Sequence, residues 1–102
     1  MKLFLLLAAA GFAAAPLAWA GNELMDKGGC SACHRVDDKL VGPAFKDVAA
    51  RYKSDRGAAD KLFDKVRDGG SGAWGDTPMP PNDEDRISDA DLKALIDWVL
   101  HQ

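Results

Sequence analysis

Five residues constrain this chain more than any others: Cys30-Ser31-Ala32-Cys33-His34. They hold both cysteines of the sequence and one of its two histidines. Cysteines two positions apart cannot staple distant segments, so a disulfide framework is not what stabilises the fold. At 102 residues the chain is too short for more than one ordinary domain, and its own apolar core is modest. Domains of this size often depend on a staple or a bound centre. The pentad is where such a centre would attach.

The C-x-x-C-H spacing reads as covalent attachment of a c-type haem. Each thiol adds across one vinyl group to form a thioether. Two intervening residues in a helical turn set the sulfurs to reach neighbouring vinyls. His34 then points its imidazole at the iron, binding through one neutral nitrogen while the other donates to a carbonyl that fixes the ring. Rival readings fit less well. A thioredoxin-like dithiol needs a strand–helix–strand pattern, which is missing. A structural zinc site needs four ligands at local spacing, and only His34 and the distant His101 accompany the cysteines. A Cys30–Cys33 disulfide leaves His34 unexplained.

The N-terminus differs from the rest. Lys2 precedes an uncharged apolar run, Leu3 to Ala15, which Pro16 breaks. Ala18-Trp19-Ala20 then puts small residues where a signal peptidase reads. Residues 1–20 are expected to be a signal peptide cleaved after Ala20, with residues 21–102 as the domain. The run is shorter than the ~20 residues that span a bilayer, and no cysteine follows it closely, so no membrane anchor is expected after cleavage. Cleavage removes Lys2, one of 13 basic side chains, and keeps all 16 acidic ones, for a net charge of −4. There is no basic stripe, so nucleic acid is not an expected partner.

The domain reads as helices joined by loops, an all-α class. Glu23 to Gly29 suggests a short helix running into the pentad, with Leu24 and Gly28 on one face. Phe45 to Tyr52 suggests a second. Ala58 to Asp68 suggests a third, with Leu62, Phe63 and Val66 as its apolar stripe and Gly69-Gly70 as its stop. Ser88 with Asp91 three residues on is close to a capping box, and acids in that first turn suit the helix dipole. Leu92, Leu95, Ile96 and Val99 then recur at helical spacing. No alternation lasts long enough to argue a strand. Gly42-Pro43, Gly69 to Gly75 and Pro78 to Asn82 are loops by composition.

A second axial ligand decides what the iron does, and the domain offers Met25, Met79 and His101. Met25 is too close to the pentad to reach the opposite haem face. His101 is the penultimate residue, at an end expected to fray. Met79 lies in Thr77-Pro78-Met79-Pro80-Pro81-Asn82, where prolines fix the backbone. A rigid loop is an odd place for methionine as a flexible gap-filler. His34 and Met79 are therefore the expected metal ligands, the pairing that raises haem potentials. An iron with both axial positions filled has no open site for substrate, which argues for electron transfer over catalysis.

Four segments carry a family likeness: Gly29 to His34, Val41 to Ala50 (V-G-P-A-F-K-D-V-A-A), Trp74 to Asn82 (W-G-D-T-P-M-P-P-N) and Trp98-Val99-Leu100. Together they make the chain resemble the bacterial class I cytochromes c of the cytochrome c-551 type. The resemblance implies a cytochrome c fold wrapped around one covalently bound haem, in a periplasmic, monomeric single-electron carrier. It implies that the Pro43 carbonyl accepts from His34, and that Asn82 steadies the Met79 sulfur. It also implies that Trp74 reaches a haem propionate with Lys65 or Arg67 as the nearby cation. Leu24 and Gly28 would face Leu95, Trp98 and Val99, the glycine allowing a close helix crossing. Implied partners are redox proteins: nitrite reductase, a quinol-oxidising complex, a cupredoxin, an oxidase or a peroxidase. They would dock weakly on an exposed haem edge, beside an apolar patch of Val41, Ala44 and the Pro78 to Pro81 loop. The link Asp83-Glu84-Asp85-Arg86-Ile87 departs from the family pattern by being longer and more acidic. Two rival functions fit the residues less well. A haem peroxidase or nitrite reductase needs a distal acid–base residue, and no histidine is a candidate. Five-coordinate gas-binding cytochromes place C-x-x-C-H near the end of the chain, not at the start of the domain.

Overall fold

The computed structural model describes residues 17–102, so the apolar run Leu3 to Ala15 lies outside the described residues. Four α-helices are joined by a 3₁₀ turn and one small hairpin: α1 (Leu17–Lys27), the turn Cys30–Ala32, α2 (Phe45–Tyr52), α3 (Ala58–Asp68), β1 (Gly70–Gly72), β2 (Gly75–Met79) and α4 (Asp89–Leu100). Among the described residues no helix is long and apolar enough to cross a membrane.

The terminal helix α4 organises the core, packing against α1, α2 and α3. Its heptad-like row Leu92, Leu95, Ile96 and Val99 is buried together with Trp98, and Leu92 is fully enclosed. Met25, Phe45, Val48 and Ile87 complete the cluster. The helix starts where the sequence predicts: the Ser88 hydroxyl accepts the Asp91 N–H at 3.2 Å, satisfying one orphan donor of the first turn. Helices α2 and α3 also take the predicted bounds.

Three features differ from expectation. Helix α1 begins at Leu17 rather than Glu23 and ends at Lys27, ahead of Gly28-Gly29. The glycine at which α1 and α4 approach closely is Gly21: a Cβ there would overlap the Trp98 indole. A Cβ at Gly28 would make an ordinary 3.4 Å contact with Ile87 Cδ1 instead. The third difference is the hairpin, expected as loop. Strands β1 and β2 pair antiparallel, Gly70 opposite Met79 and Gly72 opposite Gly75, with Ala73-Trp74 at the turn. Gly70, Gly72 and Gly75 have φ of 109°, 110° and 107°, a backbone region that residues with a Cβ avoid. Pairing here rests on that freedom and not on alternating side chains, which is why no strand periodicity is visible.

The acidic link is a compact turn. The Asp83 carboxylate accepts the N–H groups of Asp85 and Arg86, each at 3.1 Å, and the turn delivers Ile87 into the core.

Candidate functional site

The 3₁₀ turn, the start of α2, one face of α3, the hairpin and the inner face of α4 surround one open, mostly apolar cleft. Cys30, Cys33, His34, Pro43, Lys65, Trp74 and Met79 all line it, among apolar neighbours such as Phe45, Val66 and Leu95. Among the described residues, Lys65 is the one ionisable group in its wall besides the two thiols and His34.

His34 is held on several sides. Its Nδ1 lies 2.8 Å from the Pro43 carbonyl. A carbonyl only accepts, so Nδ1 carries a proton and the neutral ring keeps its free lone pair on Nε2. Phe45 stacks on the imidazole, with centroids 5.0 Å apart and planes at 23°, and Trp98 meets Phe45 edge-on at 6.0 Å. Gly42 passes so close that a Cβ would lie 2.9 Å from Nδ1 and closer still to Cε1. Its N–H donates to the Cys33 carbonyl at 2.8 Å. Sequence reading took Gly42 only as part of a loop; its neighbour in space has no sequence signature.

The thiols of Cys30 and Cys33 are both free and half-buried. The N–H groups of Cys33 and His34 both donate to the Cys30 carbonyl, at 3.1 and 2.9 Å, which winds the pentad into one turn. Burial pushes the Cys30 thiol up, against its backbone hydrogen bond and the Arg86 cation, which draw it down. Among the described residues no three His, Cys, Asp or Glu side chains gather as a metal cluster would require, and the hairpin is no strand–helix–strand unit. Neither the zinc nor the dithiol reading finds the surroundings it needs.

Met79 closes β2 and lines the cleft. Gly69, at φ 68°, gives it room: a Cβ there would lie 2.8 Å from the Pro80 carbonyl carbon and would collide with the Met79 oxygen. Asn82 is 8% exposed. Its amide N–H groups donate to the Pro80 carbonyl at 3.0 Å and the Val66 carbonyl at 3.2 Å. Its described bonds thus hold the loop backbone rather than the sulfur of Met79. Met25 is buried in the core and His101 is exposed, its Nδ1 donating to the Asp97 carbonyl at 2.6 Å; neither lines the cleft.

Of the two cations expected near a propionate, Lys65 lines the cleft, while the Arg67 guanidinium donates to the Ile87 carbonyl at 2.8 Å and pairs with Asp89 at 2.6 Å, tying α3 to the start of α4. A further cation, Arg51, sits on Trp74, 3.7 Å from the ring centre. One expectation needs correction: Ala44 is 1% exposed and belongs to no surface patch, whereas Val41, at 50%, is open.

Thiols for two vinyl groups with an imidazole beside them, in one apolar cleft, define a protein that holds haem covalently. The family model described as Cytochrome c matches residues 18–102, and the chain belongs to the cytochrome c family, among the class I proteins of the cytochrome c-551 type. It is similar to the cytochrome c-551 of Allochromatium vinosum, 51% identical over 86 residues that cover 84% of this chain and 89% of the relative. It is also similar to the cytochrome c-551 of Pseudomonas aeruginosa, 43% identical over 106 residues, covering 100% and 99% of the two chains. Among solved structures, the crystal structure of wild-type Nitrosomonas europaea cytochrome c-552 superimposes with a TM-score of 0.73 at 51% identity, over 78% of this chain and 96% of that one.

Membership brings haem c with its iron as the cofactor, and electron transfer rather than catalysis as the activity. The residues present fit that group. The cleft has the apolar wall a porphyrin needs, its two thiols are free, and Nδ1 of His34 is committed to Pro43, which leaves Nε2 for the iron.

Proposed function

We propose that the chain is a periplasmic monohaem carrier of single electrons, with haem attached through Cys30 and Cys33 and its iron ligated by His34 and Met79. The observation that carries this reading is that His34 and Met79 line the same apolar cleft while the Nδ1 proton of His34 is committed to Pro43. When bound, haem c supplies a redox centre that changes by one electron. The protein fixes the imidazole through Pro43, Gly42 and Phe45. It holds the methionine through the hairpin and through Asn82, which keeps the Pro80 carbonyl in place. The apolar wall excludes water from the iron. Lys65 and Trp74, both in the cleft wall, are the groups positioned for haem propionates. Residues 1–20 are the export signal, cleaved after Ala20.

Redox partners approach over the exposed Val41 and the Pro78 to Pro81 loop. Nitrite reductase, an oxidase or a peroxidase would take the electron, and a quinol-oxidising complex or a cupredoxin would supply it. Contact is small and transient, with charge mainly setting the encounter rate. An enzymatic reading requires a distal acid–base group, and the wall offers only Lys65 besides the anchoring residues.

Met79→Ala tests the ligand assignment. Haem should stay attached, the reduction potential should fall, and the reduced iron should take up carbon monoxide. An unchanged potential with no carbon monoxide binding would remove Met79 from the iron.

A further inference from the structure

Helix α2 carries Phe45, stacked on His34, and so belongs to the histidine side of the cleft. The hairpin carries Trp74 at its turn and ends at Met79, and so belongs to the methionine side. Arg51, in the last turn of α2, spans the gap. Its guanidinium carbon sits over the Trp74 ring, 3.7 Å from the centroid, and its Nη1 donates to the Ala73 carbonyl at the hairpin turn. Among the described residues no backbone hydrogen bond joins α2 to the hairpin. The hairpin itself carries three glycines at φ near 110°. Arginine suits the position because its planar fork can stack on an indole and donate in its own plane at once.

We propose that Arg51 is a positioning residue that latches the hairpin to α2. It thereby keeps Trp74 against the rim of the cleft and Met79 over the iron. This rests on the reading that Met79 ligates the haem. A latch at the hairpin turn would act on how often the methionine side opens, not on whether the protein folds.

The test uses the oxidised holoprotein and the rate at which millimolar cyanide replaces the methionine, compared among wild type, Arg51→Leu, Arg51→Lys and Lys46→Leu. Lys46 is a cation on the same helix that pairs with Asp37, away from the hairpin. Wild type must first show the weak absorbance near ~695 nm that accompanies methionine ligation; if it does not, the ligand reading itself fails. Given that band, Arg51→Leu should admit cyanide about five-fold faster or more, from the loss of one cation–π contact and one hydrogen bond. Arg51→Lys, which keeps a cation that can donate to Ala73, should fall between. Lys46→Leu should match wild type. If Arg51→Leu leaves the rate unchanged, or if Lys46→Leu raises it equally, the latch does not exist.

Discussion

At His34, one hydrogen bond decides which nitrogen is left free: Nδ1 is committed to the Pro43 carbonyl at 2.8 Å. The C-x-x-C-H spacing identified the histidine and both thiols without any structure, because the chemistry of attachment fixes their separation. Pro43 and Asn82 were legible only through family likeness, since nothing local says where a carbonyl or an amide will point. Gly42 and Arg51 were not legible at all. Their roles arise from close approach between segments, His34 to Gly42 and α2 to the hairpin, which spacing along the chain cannot reveal. Gly42→Ala should be costly, because the new methyl would meet the imidazole at 2.9 Å or less. Overpacking of this kind typically costs ~1–3 kcal/mol. Guanidinium unfolding of the Gly42→Ala holoprotein should show a lowered midpoint, and a midpoint equal to wild type would mean the loop yields freely.

Among the elements, α2 and α3 take the bounds legible in the sequence, and α4 starts after the predicted cap Ser88 with its apolar row buried. The hairpin was not legible, since its pairing comes from glycine backbones. The cap of α4 is open to a direct test. Ser88→Ala should cost about 1 kcal/mol, a fall of roughly 4–8 °C in the melting temperature of a domain this small. Thermal unfolding followed by circular dichroism reads it, and an unchanged melting temperature would show that the cap does not matter. Before α3, Asp55 pairs with Lys61 at 2.6 Å and accepts the Gly57 N–H at 2.8 Å. Lys61 first, then the Gly57 N–H, hold the Asp55 carboxyl below its ordinary value. A depressed carboxylate stabilises the fold above its unfolded value of 3.8 and loses that contribution as pH falls through the lower folded one. Asp55→Asn should therefore be slightly less stable than wild type near neutrality, and the two should converge in acid. Lys61 is exposed and Asp55 is partly so, so the difference should shrink in high salt. A gap that persists in acid or in molar salt would assign the effect to something other than this charge.

For the whole molecule, α2, α3, α4, the pentad turn and the hairpin wall the cleft beside the core that α4 organises, and haem c would add its own apolar surface to that core. Cys33→Ala should sharply lower the yield of holoprotein. The apo chain should have less helix by far-UV circular dichroism than the holo chain; equal ellipticity would mean that the polypeptide folds without its cofactor. The net charge of −4 on residues 21–102 makes encounter with a basic partner surface faster at low salt. The acidic turn Asp83 to Asp85 is exposed beside the Met79 loop, where it adds to that preference. The carrier function requires that both axial positions of the iron be filled by the chain. The visible spectrum of the oxidised protein at neutral pH measures this most directly. The account predicts a weak band near ~695 nm that is lost in Met79→Ala, with no carbon monoxide uptake by the reduced wild type. Absence of that band together with rapid carbon monoxide binding would contradict it.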